Sequence, residues 1–162
     1  MAIVVAALAR HAEWLPLLAR WMIDEWPQWY GAGGRGDAGV DLRSFAADES
    51  TLPVGVIAFD GRTPVGMAAL KAQSLPGHVH LTPWAAAGLV VPARRGQGIG
   101  AQLLDALVER ARGLGHAQIF CATATAASLL RRGGWVQRER VTHEGETLLV
   151  FARPTDNDTA RP

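Results

Sequence analysis

The stretch LVVPARRGQGIG, residues 89–100, dictates strand, turn and helix in that order. Its branched apolar start suits a strand, and Pro92, with no N–H to give to a ladder, ends it. Gly96, Gly98 and Gly100 free the backbone of side-chain obstruction. An amphipathic helix follows, with Ile99, Leu103, Leu107 and Leu114 on one face and Asp105, Glu109, Arg110 and Arg112 elsewhere. Gly113 and Gly115 terminate it. Such a junction aims unpaired N–H groups and the positive end of a helix dipole at one point, which favours an anion. Arg94 and Arg95 add donors that suit phosphate oxygens.

A second glycine cluster, GAGGRG at 31–36, has the G-x-G-x-x-G spacing of a dinucleotide-binding turn. The spacing has physical meaning only between a strand and a helix. Here the cluster follows a tryptophan-rich helical pattern that Pro27 closes, and no helix is expected directly after Gly36. Asp37 also puts a negative charge where a phosphate would lie. The cluster therefore reads as a flexible connection between helices, and an NAD-binding oxidoreductase is disfavoured.

The rest of the chain supplies an order of elements. Residues 3–8 suit a strand, and Trp14, Leu15, Leu18, Trp21, Met22 and Trp26 recur at helical spacing, with Pro16 in the first turn. A shorter helix is expected over 40–48. Two strands within 52–73 meet at Asp60-Gly61, a hairpin signal. Later come a strand over 116–123, a short helix over 126–134, and a hairpin across His143-Glu144-Gly145. The order β-α-α-β-β-β-α-β-α-β-β alternates late but not early, which predicts an α/β (α+β) fold with a mixed sheet rather than a doubly wound one.

Composition narrows the class. The 162 residues carry a formal net charge of +1 and are 49% hydrophobic, as expected of one globular domain with no global field for nucleic acid or membranes. A single cysteine, Cys121, excludes an intrachain disulfide and favours a reducing compartment. The N-terminal apolar run is short and lacks a preceding basic residue, so no signal peptide is expected and the cytoplasm is the expected location. The domain is expected to span 1–153, with a polar, disordered tail over 154–162.

VVPARRGQGIGAQLLDAL resembles the acetyl-CoA-binding motif of the GNAT superfamily of N-acetyltransferases, R/Q-x-x-G-x-G/A, with Arg95, Gly98 and Gly100 at its named positions. LTPWAAAGLVVP is similar to the fourth strand of a bacterial Thr-Pro-Trp subgroup, and LLRRGGW to the family's closing helix end. The resemblance covers nearly the whole chain. It implies a mostly antiparallel, splayed sheet of about seven strands with about four helices. It also implies acetyl-CoA as co-substrate, with pyrophosphate on residues 95–100 and pantetheine beside Leu89, Val90 and Val91. On that basis Arg94, Arg95, Gly96, Gln97, Gly98, Ile99 and Gly100 are cofactor-binding candidates, joined by Ser128 and by Arg131, which with Arg132 suits the 3′-phosphate. A backbone N–H of Leu89 or Val90 is expected to stabilise the oxyanion. The glycine-rich 31–36 connection would border the acceptor site, weakly ordered and able to close over it.

The chemistry implied is attack of an amine on the acetyl carbonyl, with a base for the ammonium proton and an acid for the thiolate. The family's usual acid is a tyrosine, and Leu130 stands at that position. Three readings stay open: the thiolate leaves unaided, Ser128 or water substitutes, or the protein binds acyl-CoA as a sensor with little turnover. Glu25, at the end of a helix amid Trp21, Trp26 and Trp29, is the first choice of base, with Asp24 beside it. His78 and His80 lack further metal ligands at suitable spacing, so no metal is expected. Cys121, in an apolar strand, reads as an inert thiol. The tryptophans lack interleaved basic residues, so nucleic acid is not expected. The acceptor is expected to be a small or peptidic amine, and sheet edges leave a homodimer open.

Overall fold

The computed structural model describes residues 2–156. The strands are β1 (Ile3–Ala7), β2 (Val54–Asp60), β3 (Thr63–Lys71), β4 (Trp84–Val90), β5 (Gln118–Thr123), β6 (Val136–His143) and β7 (Glu146–Pro154). The α-helices are α1 (Leu15–Glu25), α2 (Pro27–Tyr30), α3 (Ala38–Phe45), α4 (Ile99–Gly113) and α5 (Ala127–Arg132). The strands form a single sheet in the order β1-β2-β3-β4-β5-β7-β6. Only β4 and β5 are parallel. The mixed α/β fold and element order agree with the sequence reading; the additional helix is the single turn of α2.

Helices cover both faces of the central strands, so β2 and β3 read as nearly continuous apolar runs. Side chains alternate between two cores: Val56 and Ala58 join Ile99, Leu103 and Leu107 of α4, whereas Ile57 and Phe59 join Leu18 and Met22 of α1 and Leu42 of α3. A third cluster, Leu75, Trp84, Phe120, Val150 and Ala152, closes the sheet where β4, β5 and β7 meet.

Local chemistry explains several boundaries. Pro27 does not simply stop the first helix: α1 ends at Glu25, and Pro27 opens α2, where its missing N–H costs no hydrogen bond. The second helix begins at Ala38, directly after the glycine cluster, because the Asp37 carboxylate accepts from the Val40 N–H at 3.0 Å and caps it. This corrects the expectation of no immediate helix and a start at 40. Asp37 occupies the helix N-terminus that a phosphate would need. The β6–β7 hairpin turns on Glu144 and Gly145, with φ of 50° and 79°, the left-handed pair that a two-residue turn requires.

The sheet splays at one place. β4 and β5 pair only at Trp84–Phe120 and Ala85–Cys121. Beyond Ala85 the register with β3 shifts between Met67 and Ala69, and Ala87 adopts φ of 52°. A bulge at 87–88 thus bends β4, leaving its last residues paired with β3 alone.

At the C-terminus, β7 runs through Pro154, and Thr155 is buried with its hydroxyl donating to the His116 carbonyl at 2.6 Å. From 157 onward the expected tail lies outside the described residues.

Candidate active site

The splay and the glycine loop meet in one cleft. Gly96 and Gly98 take φ of 77° and 84°, left-handed conformations that cost other residues about 1 kcal/mol. Gly98 caps α4 in that conformation, so the first N–H groups of the helix have no intrahelical partners. Gly100 packs closely for a different reason: a Cβ there would lie 3.2 Å from Leu129 Cδ2, so α5 would have to give slightly. A cavity of about 610 Å³ opens over this loop, its walls including Leu89, Val90, Arg94, Arg95, Gly98 and Arg132.

The edge of β4 faces the same space. The Val91 N–H donates to the Val65 carbonyl at 3.0 Å, while the Val90 carbonyl accepts from Arg95 Nε at 2.9 Å. In an antiparallel strand the N–H and C=O of one residue point to the same side, and successive residues alternate. Both polar groups of Val90 therefore turn away from β3 into the gap, and those of Leu89 turn toward Met67. Gly88, inside the bulge, lines both cavities beside Val90.

Deeper in the splay is a second cavity of about 540 Å³ that shares Glu25, Gly88, Leu89, Val90, Gly100 and Leu129 with the first. Its walls include Trp26, Ala85–Ala87, Cys121–Ala126, Leu130 and Glu146. Burial pushes the Cys121 thiol up to about 12, so it is a neutral wall and no nucleophile.

The arginines are tied to specific partners. Arg94 donates to Asp60 at 2.8 Å and to Gln97 Oε1 at 3.0 Å, bracing the loop against the β2–β3 turn. Arg95 spans the cleft: besides Val90, it donates to Glu25 Oε2 at 2.7 Å. Glu25 thus lies at the join of the two cavities, with its carboxylate paired to the glycine loop.

Of the residues singled out from sequence, Glu25, Leu89, Val90, Arg94, Arg95, Gly96, Gly98, Ile99 and Gly100 come together here. Gln97 borders the cleft only through Arg94, and Val91 is turned into the core. Ser128 is exposed and lines neither cavity, and Asp24 also lies outside both. Arg131 turns to the sheet, donating to Gln137 at 2.9 Å and stacking 5.5 Å from the Phe151 ring, while its neighbour Arg132 faces the cleft. Leu130, at the position of the usual acid, is 1% exposed between the core and the inner cavity. Sequence reasoning missed Gly88, although a lone glycine in a strand is itself a signal of a bulge or of close backbone approach.

The 31–36 connection is packed rather than loose. A Cβ at Gly34 would lie 2.2 Å from the Trp29 carbonyl, and one at Gly36 would lie 2.3 Å from Trp29 Nε1. The Gly36 N–H donates to Trp29 O at 2.8 Å, and Arg35 stacks 5.2 Å from the Trp29 ring while pairing with Glu144 at 2.8 Å. Gly34 and Gly36 serve close approach and Gly33 a left-handed turn with φ of 79°, a packing that counts against the expected mobile lid. His78 sits on the β3–β4 connection, its Nδ1 3.1 Å from the Pro76 carbonyl and its Nε2 on Glu139; these contacts raise its pKa. Among the described residues no three His, Cys, Asp or Glu side chains gather as a metal site would need.

Open strand edge, glycine loop and helix N-terminus meet in one cleft suited to an extended, phosphate-bearing ligand. The model of the acetyltransferase (GNAT) family matches residues 16–132, so the chain belongs to that family and is an acyltransferase. Among solved structures it is similar to an aminoglycoside 6′-N-acetyltransferase complexed with coenzyme A, at 15% identity over 98% of this chain and 99% of that one, TM-score 0.76. The aminoglycoside 6′-N-acetyltransferase from Enterococcus faecium gives 14% identity over 98% and 99%, TM-score 0.75. The Salmonella typhimurium acetyltransferase yncA, with its cofactor acetyl-CoA, gives 17% over 97% and 96%, TM-score 0.70. No curated protein matches the sequence significantly. No helix among the described residues is long and apolar enough to cross a membrane.

Proposed function

We propose that the protein transfers the acetyl group of acetyl-CoA to a primary amine of a small molecule or peptide by direct attack. The observation that carries this reading is the free edge of β4: the polar groups of Val90 face a cleft that begins at the glycine loop and deepens into a second cavity. The residues fit the cofactor. Arg95, Arg132 and the N-terminus of α4 suit its phosphates, and the Gly88–Val90 edge suits an extended amide-bearing arm. Acetyl-CoA supplies an activated thioester there.

The chain's own groups do the rest. The Val90 N–H donates to the oxygen that gains charge as the amine adds. Strand alternation favours Val90 over Leu89 for this role, since the polar groups of Leu89 turn toward Met67. Glu25 accepts the amine proton once Arg95 turns from it toward phosphate. Leu130 has no proton to give and Ser128 lies outside the cleft, so sulfur leaves as the thiolate, which its modest basicity permits. The single cysteine is in keeping with a reducing cytoplasm.

The test is release of free coenzyme A thiol over an amine panel of alkylamines, peptides and the aminoglycosides named for two of the structural relatives. Release matched one for one by loss of amine is expected. Coenzyme A binding with no release for any amine would instead favour an acyl-CoA sensor, the reading that the apolar Leu130 keeps in view.

A further inference from the structure

The positive charges along the cleft are confined to one end. The outer cavity carries Arg94, Arg95 and Arg132, together with Glu25, which both cavities share. The inner cavity carries no Arg, Lys or His, and its charged side chains are Glu25 and Glu146. Glu25 already has a cationic partner in Arg95. Glu146 is exposed and has no ion-pair or hydrogen-bond partner among the described residues.

Position supports a role for this lone carboxylate. Glu146 opens β7 directly after the β6–β7 turn. That turn is pinned to the 31–36 connection by the Arg35–Glu144 pair at 2.8 Å, which also holds Glu144 below the ordinary carboxylate range. The pair satisfies Glu144 and leaves Glu146 as the unpaired anion of this rim. The wall between Glu146 and the Val90 edge is built from small and apolar groups, Ala86, Ala87, Ala122 and Leu148 among them.

We propose that Glu146 selects the acceptor: a compact amine with a second positive centre, whose far cation pairs with Glu146 while its other nitrogen attacks beside Val90. The inference rests on the acetyl-transfer reading above and adds to it the charge of the substrate. An acceptor with a carboxylate at the far end is repelled, and one with an apolar end gains nothing from Glu146. Because Glu146 is exposed, its pairing is screened, and a preference of about fivefold is the scale to look for.

Three probes of equal length isolate that charge: pentylamine, diaminopentane and aminopentanoate. The expected order of kcat/KM for thiol release is diaminopentane about fivefold above pentylamine, with aminopentanoate lowest. Glu146→Gln should bring the ratio of diaminopentane to pentylamine down to about the twofold that its two equivalent nitrogens supply once the ion pair is gone. Glu146→Lys should place aminopentanoate above diaminopentane, an inversion that no purely structural role produces, and unchanged thermal unfolding confirms that both variants fold. Equal use of all three probes by the parent protein, or an unaltered order in Glu146→Lys, overturns the proposal. Were no amine to release thiol, the acetyl-transfer reading would fail on its own. Calorimetry of the same amines on the coenzyme A-loaded protein would then decide: tighter binding of diaminopentane supports the role of Glu146, and equal binding overturns it.

Discussion

Leu130 concentrates the residue-scale question of how the thiolate leaves. The side chain is 1% exposed, packed in the core that includes Trp135 and α4, and it also lines the inner cavity. A tyrosine there would extend into open space, with the crowding cost of about 1–3 kcal/mol that extra atoms bring to a packed site. General acid catalysis contributes about 100-fold or more where proton transfer limits the rate. A thiol with a pKa near 8.5 leaves readily as its anion. We therefore expect Leu130→Tyr to lower the unfolding temperature while kcat stays within about threefold of the parent. A rise of about 100-fold would show that the missing acid limits turnover. The departure from the family's pattern was legible in LLRRGGW. That Ser128 lines neither cavity was not, because sequence order does not say which side of a short helix meets a cavity.

The element-scale question is how α1 and the glycine loop answer each other. Arg95 holds Glu25 at 2.7 Å and the Val90 carbonyl at 2.9 Å, so one guanidinium occupies both the proposed base and the strand edge. On the acetyl-transfer reading, the phosphates of coenzyme A would compete with Glu25 for that guanidinium, which would couple cofactor binding to release of the proposed base. Glu25→Gln removes the competitor and the base together, and the two effects have opposite signs. Coenzyme A should bind a few-fold tighter, since an exposed pair is worth up to about 1 kcal/mol. Turnover should fall about 100-fold or more, as loss of a general base entails. Calorimetry and initial rates on the same variant read the two effects separately; weaker binding together with slower turnover would refute the coupling. Neither partner hinted at this in sequence. Glu25 was a candidate for its aromatic neighbours and Arg95 for its place in the motif, but a contact between residues so far apart leaves no local pattern. Local signals fared better. The periodicity of α4 located its buried face correctly, with Ile99, Leu103 and Leu107 each 2% exposed or less. The N-cap role of Asp37 leaves a local pattern too, an aspartate three residues before Val40, whose N–H its carboxylate accepts.

On the scale of the whole molecule, the element order came from periodicity and turn chemistry, whereas the splay did not. Nothing in Trp84–Val90 states that pairing with β5 stops after two residue pairs, or that β7 inserts between β5 and β6. Those facts follow from long-range packing; the resemblance carried by RRGQGIG anticipated the splay, and nothing anticipated the insertion of β7. The two glycine clusters then supply a test that uses the whole fold. A ligand that binds only the native state stabilises it by about 2.7 kcal/mol at 100 times its dissociation constant. For a chain of this size each kcal/mol moves the unfolding temperature by about 2–4 °C, so saturating coenzyme A should raise it by about 5–10 °C. NAD at the same concentration should leave it unmoved, because Trp29 and Tyr30 pack against Gly36 and the helix that follows has its N-terminus already capped by Asp37. Gly98→Val should abolish the coenzyme A shift, and its left-handed φ predicts a lower starting temperature as well. A shift with NAD, or none with coenzyme A, would assign the phosphate site to the wrong glycines.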